Sequence, residues 1–167
     1  ARHGLTLLSN VLRYSLTSHK KQFISLKEEL DIVEQFIELS GIQLEDRLRF
    51  KLDVEPKLMT TNIPQMIIQM LVENAIKHGI SVVKGGGLLS LEVTSNEKFL
   101  LVHVENPGSL KQSATTETST GIGLENIRSR LDLLYGGEAK FSIEEADGTV
   151  VVKLLLPFEV RVVNKGT

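Results

Sequence analysis

The chain has no cysteine, which excludes disulfides, thiolate zinc sites and cysteine nucleophiles. No apolar run approaches the roughly 20 residues that a bilayer-spanning helix needs, and the first residues do not read as a secretory leader. Positive charge is not in surplus: 19 Lys and Arg stand against 21 Asp and Glu, a net charge of −2. That balance gives no basic stripe for nucleic acid. An initiator methionine is also missing. Ala1 leads almost at once into an amphipathic helical pattern, and we expect a piece cut from a longer protein. What remains is ample for a fold. A chain of 167 residues makes one domain, or one domain with a helical appendage, and about 150 residues hide roughly 70% of their unfolded surface.

Leu5, Leu8, Leu12 and Leu16 recur at helical spacing over 3–19. Ser25-Leu-Lys-Glu28 reads as a capping box, and Leu26, Leu30, Val33 and Ile37 carry that helix's apolar stripe towards Arg47. Two amphipathic helices joined by a short polar link suggest a helical hairpin, or the stub of a larger bundle. Leu48 to Val54 alternates as a half-buried strand does, and Pro56 ends it. Asn62-Ile-Pro64 predicts a helix start with proline in the first turn, the helix running to Gly79 as its C′ residue. Strands are predicted at Leu89–Thr94 and Phe99–Glu105. A polar loop follows at 107–120, then a helix from Gly123 to Tyr135. A hairpin at Ala139–Glu145 and Thr149–Leu156 turns about Asp147-Gly148. The sum is α+β: a two-layer sandwich, its sheet mixed but mostly antiparallel, with helices on one face and a helical hairpin in front.

Two segments carry chemistry. On the helix ending at Gly79, Asn74, Lys77 and His78 stand at i, i+3 and i+4 and share one face. A hard divalent cation wants an octahedron of oxygens, mostly waters and phosphates, and one amide oxygen from Asn74 can complete it. Lys77 offers a compact positive charge for phosphate, His78 a hydrogen bond, and Glu73 a hold on a metal-bound water. The bland alternative is a solvated Asn with two cations complementing a helix C-terminus. The second segment, Gly121-Ile-Gly123-Leu124, lets main-chain N–H groups approach phosphates at a helix start. It is neither a dinucleotide fingerprint, since position 126 is Asn, nor a phosphate loop, since Gly-Lys-Ser/Thr is absent. None of the four histidines has metal-ligand spacing. His3, His19 and His103 read as incidental.

Arg13-Tyr-Ser-Leu16, Leu26-Lys-Glu-Glu-Leu30, Leu71-Val-Glu-Asn-Ala-Ile-Lys-His-Gly79 and Gly121-Ile-Gly-Leu-Glu-Asn-Ile-Arg-Ser-Arg-Leu131 follow one another as in sensor histidine kinases of the LytS-like group, which the chain resembles from about Val11 to Pro157. The last two segments look like the N box and second glycine box of the gyrase/Hsp90/histidine-kinase/MutL ATP-binding fold. The resemblance implies an ATP–Mg²⁺ pocket under a lid at 107–120. It puts Asn74 on Mg²⁺ and phosphate, Lys77 and His78 near the phosphates, and Gly121, Gly123 and Leu124 at the lid's C-terminal hinge. The first glycine box aligns with Glu105-Asn106-Pro107-Gly108, which makes Glu105 the acceptor for adenine and Gly108 the retained glycine. Met70, one turn before Asn74, leaves no water-activating base there; this favours phosphoryl transfer over hydrolysis.

The resemblance further implies a stem at 1–47 ending the dimerisation and phosphoacceptor region, an ATP-binding catalytic domain at 48–157, and a tail at 158–167. The γ-phosphate would go to a histidine outside this fragment, so no catalytic residue is expected within it. The implied partners are a second kinase subunit and a response regulator. The parent would be anchored in the inner membrane through segments absent here, with this part in the cytoplasm. The rival reading is a binding or dimerisation module of the same fold that has lost kinase activity, motivated by the departure at Glu105–Pro107.

Overall fold

A computed structural model describes residues 2–17, 21–110 and 120–159. Its elements are α1 (Arg2–Thr17), β1 (Phe23–Ser25), α2 (Leu26–Leu44), β2 (Leu48–Val54), β3 (Asn62–Pro64), α3 (Ile67–Ala75), β4 (Gly87–Ser95), β5 (Phe99–Pro107), α4 (Thr120–Tyr135), β6 (Lys140–Ala146) and β7 (Thr149–Pro157). Five strands form one sheet in the order β2-β4-β5-β7-β6, parallel only between β2 and β4. The expected mixed, mostly antiparallel sheet is therefore present, with β2 and β6 outermost.

Period-2 patterning decides which face is covered. Leu89, Leu91 and Val93, then Leu100, Val102 and Val104, then Val152, Leu154 and Leu156 are buried in one core with Val33, Ile68, Leu71 and Ile127 of the helices. The intervening Glu92, His103 and Lys153 lie in register across β4, β5 and β7 on the other face. Asp147 and Gly148 both take positive φ, 51° and 74°, the geometry that matches a two-residue turn to strand twist.

The helical hairpin is present, but its packing differs from the expected stripe. Among the described side chains of α1, Leu7 and Val11 are buried, whereas Leu5, Leu8 and Leu12 are exposed; the side chain of Leu16 lies outside the described residues. A helix in a hairpin has one neighbour, so one apolar face packs on α2 and the other stays open. His3 pairs with Glu38 across the hairpin, and His19 lies outside the described residues.

The start of α3 is the main correction. Asn62–Pro64 is not a first helical turn. It forms β3, antiparallel to β1, a pairing absent from the sequence reading. Met66 then takes a left-handed φ of 62° and the helix begins at Ile67. Main-chain bonds lock this strap to Gln22 and the first turn of α2: Leu26 N–H to Thr61 O at 2.8 Å, Lys27 N–H to Met59 O at 3.0 Å and Gln65 N–H to Gln22 O at 3.1 Å. Leu26 and Lys27 are first-turn donors of α2 that have no partner within their own helix. Ser25 accepts from Glu28 N–H at 3.2 Å, as the capping box requires.

Candidate functional site

α3 has no side-chain cap of its own. Its first-turn donors are met from a distance: the carboxylate of Glu29, fully buried on α2, accepts Met66 N–H and Gln69 N–H, both at 3.0 Å. A buried carboxylate on main-chain donors at a helix start is favoured by the dipole as well as by the bonds. The helix does not run regularly to Gly79. It ends at Ala75 and passes into a π-turn over Ile76–Ile80, closed by Ser81 N–H to Ile76 O at 2.9 Å. Such wider turns recur at functional positions.

Gly79 is accordingly not a left-handed C′ residue. Its glycine requirement is steric: a Cβ there would lie 2.1 Å from Asn106 Nδ2 and 2.8 Å from Pro107 O. The end of β5 thus seats directly on the π-turn. The same approach brings Gly108, at φ 147°, against the Gly79 backbone.

An open cleft of about 140 Å³ lies between α3, the π-turn and α4, lined by Met70, Glu73, Asn74, Lys77, His78, Gly123, Leu124 and Ile127. The structure therefore brings together Asn74, Lys77, His78, Gly123 and Leu124 from two distant stretches of sequence. α4 starts at Thr120, so Gly121 and Gly123 occupy its first turn rather than a loop before it. First-turn N–H groups lack intrahelical acceptors, and a Cβ built on Gly123 would meet nothing within 4 Å. Room for a ligand is consequently left beside the start of α4. Of the 107–120 segment, residues 111–119 lie outside the described residues; before them Gly108 N–H is tied to Gly148 O at 2.9 Å.

Glu105 is not in this cleft. It alternates with the buried Val104 and Asn106, so its side chain lies on the opposite face of the sheet, 3.5 Å from His103 Nε2. The inward position at the end of β5 belongs to Asn106, buried, with Nδ2 donating to Pro107 O at 2.9 Å. Gly108 itself does not line the cleft; it packs behind Gly79.

Glu73 and Lys77 bring one charge of each sign to the cleft lining. Burial, and after it the charge of Lys77, hold the His78 imidazole below its usual 6.5, so at neutral pH it is uncharged and can offer one N–H and one lone pair. Among the described residues no group of three or more His, Cys, Asp or Glu is placed to hold a metal. Asn74 could give a hard cation a carbonyl oxygen and Glu73 stands beside it with a carboxylate, the rest of the shell being water and phosphate. No helix among the described residues is long and apolar enough to cross a membrane.

Residues 61–157 match the GHKL domain model and residues 1–48 the histidine kinase model. The sensor histidine kinase/phosphatase LytS of Staphylococcus aureus (strain MRSA252) is 31% identical over 95% of this chain. The sensor protein LytS of Oceanobacillus iheyensis is 26% identical over the same share. In both cases the chain spans 29% of the relative's length. Among solved structures, the nucleotide-free catalytic domain of histidine kinase ThkA superposes with TM-score 0.61 at 18% identity, covering 83% of this chain and 97% of that one. Acinetobacter baumannii histidine kinase AdeS gives 0.57 at 15%, covering 93% and 75%. With the cleft, the two helix ends and these likenesses in place, the chain belongs to the GHKL domain family, in the ATP-binding form carried by LytS-type sensor histidine kinases.

Proposed function

We propose that the cleft between α3 and α4 binds ATP with Mg²⁺ and presents the γ-phosphate to a histidine outside this fragment. One observation carries the reading: Asn74, Lys77 and His78 share a cavity with Gly123 of a helix start some fifty residues away. Each feature alone has a bland explanation; their convergence on one space does not. Asn74 would ligate the metal, which when bound neutralises phosphate charge. Lys77 would hold a phosphate oxygen as a point charge. His78 would donate to another, and the Gly121 and Gly123 main chain would cradle the anion at the start of α4.

Adenine recognition we assign to Asn106 rather than Glu105, because Asn106 faces the helix layer beside Gly79 while Glu105 faces away. In phosphoryl transfer the protein's work is mainly positioning and charge stabilisation, which this residue set can supply without a general base at Met70. In domain terms, 48–157 would be the catalytic unit, 1–47 the stem and 158–167 a tail. The open Leu5, Leu8 and Leu12 face of α1 suits pairing with a second subunit. A response regulator and a membrane-anchored parent with this part in the cytoplasm complete the proposal.

Calorimetric titration with Mg²⁺–ADP is the test. Wild-type protein should bind, and Asn74→Ala should abolish the Mg²⁺-dependent part while leaving the circular dichroism spectrum intact. Absence of heat and of any thermal shift at millimolar nucleotide would overturn the reading in favour of a module that no longer holds ATP.

A further inference from the structure

Outside the cleft, the most unusual group in the molecule is the Glu29 carboxylate. It is fully buried, it belongs to the stem, and it accepts the first-turn N–H groups of the helix that carries Asn74. The strap it grips is also gripped by the cleft's other wall. Arg130 of α4 donates to Gln65 O at 2.7 Å, and Tyr135 of α4 meets Phe23 of β1 edge-on, ring centroids 6.2 Å apart. Gln65 N–H returns to Gln22 O of the stem. Stem, α3 and α4 therefore converge on Gln65–Met66, and both walls of the cleft are referenced to one carboxylate and one strap.

We infer that Glu29 is a positioning residue that sets α3 against α2 and so couples the placement of the stem to nucleotide affinity. The inference rests on the nucleotide reading of the cleft. Physically, α3 is short, opens on a left-handed Met66 and has no local cap; its axial position is defined by the distant acceptor. A displacement of α2 that stretches the two 3.0 Å bonds must either drag α3 or leave buried donors unmet, which is costly. Moving α3 moves Asn74, Lys77 and His78 relative to Gly123. Coupling of this kind is reciprocal: if stem placement changes nucleotide affinity, nucleotide must stabilise the stem's docking by the same factor.

The experiment compares Glu29→Gln with Val33→Ala, a buried position on the same helix, by Mg²⁺–ADP calorimetry and by amide hydrogen exchange. Glutamine keeps the shape but offers one acceptor oxygen and an NH₂ that faces an N–H. The expected result for Glu29→Gln is affinity about tenfold weaker and faster exchange across 66–75. Val33→Ala should stay within about twofold of wild type in affinity. Nucleotide should slow exchange at 26–33 in wild type but not in Glu29→Gln. Should Glu29→Gln fail to fold, Glu29→Asp, one methylene shorter, should show the same pattern in weaker form. Wild-type affinity in whichever of the two carries the test, or an equal loss in Val33→Ala, overturns the inference. If wild type binds no nucleotide yet exchange at 66–75 still rises in the Glu29 variant, the cleft reading fails while the positioning of α3 by Glu29 is upheld; if exchange is also unchanged, both fall.

Discussion

Substituting Gly123 by alanine should push stability and binding in opposite directions. In the folded chain the new methyl would meet no atom within 4 Å, and position 123 lies in the first turn of α4, where no positive φ is demanded. Alanine in a helix is favoured over glycine by about 0.5–1 kcal/mol, chiefly because the unfolded chain loses freedom. For a domain of this size that corresponds to a rise of about 1–4 °C in Tm. The same methyl projects into the cleft shared with Asn74, Lys77 and His78. If phosphate oxygens lie against that main chain, the approach is blocked. Loss of a charge-assisted bond of about 1.5–3 kcal/mol is then about one to two decades in Kd. Differential scanning fluorimetry without nucleotide reads the first effect and calorimetry with Mg²⁺–ADP the second. A higher Tm with unchanged affinity would refute the claim that the α4 start holds the anion; a lower Tm would refute the claim that the position is open.

Gly79→Ala should behave oppositely, since its Cβ would collide with Asn106 and Pro107. Overpacking of about 1–3 kcal/mol should lower Tm and weaken nucleotide binding together, and a neutral Tm would show that β5 does not seat on the π-turn. Glu105→Gln should leave Mg²⁺–ADP affinity within about twofold, while Asn106→Ala weakens it by about tenfold or more; the reverse order in a calorimetric series would return adenine recognition to Glu105. His78, held below 6.5 by burial and Lys77, should titrate below that value by NMR without nucleotide and move upward when phosphates arrive. Because its folded pKa is depressed, its contribution to stability is fully present above about 6.5 and is lost as pH falls towards the folded value. Wild type should therefore lose stability faster than His78→Gln over that interval in pH-stepped denaturant melts.

Most of the sheet was legible from the chain. Alternation placed β2, β4, β5 and β7 to within two or three residues at each end, and Asp147-Gly148 fixed the last hairpin. Asn74, Lys77 and His78 do line one cavity, as their spacing suggested, but Lys77 and His78 reach it from the π-turn over Ile76–Ile80 and not from a regular helix. Three features escaped for identifiable reasons. Pro64 resembles a first-turn proline, but the strand partner that claims its segment, Phe23–Ser25, lies some forty residues upstream, and local pattern carries no record of such a pairing. Glu105 was aligned by motif when alternation already answered the question: with Val102 and Val104 inward, Glu105 must face out beside His103. Glu29 had a visible signal too. It sits at i+3 from Leu26 and i+4 before Val33, in the middle of an apolar stripe, and a carboxylate in that position must find donors inside the protein.

The rims of the sheet bear on how such chains can meet. β2 ends the sheet with Arg49, Lys51 and Asp53 exposed, and β6 ends it with Lys140, Glu144 and Glu145 exposed. Charges along an unpaired strand discourage a neighbour from adding its own strand there. Lateral growth into a continuous ribbon is thereby disfavoured at both borders.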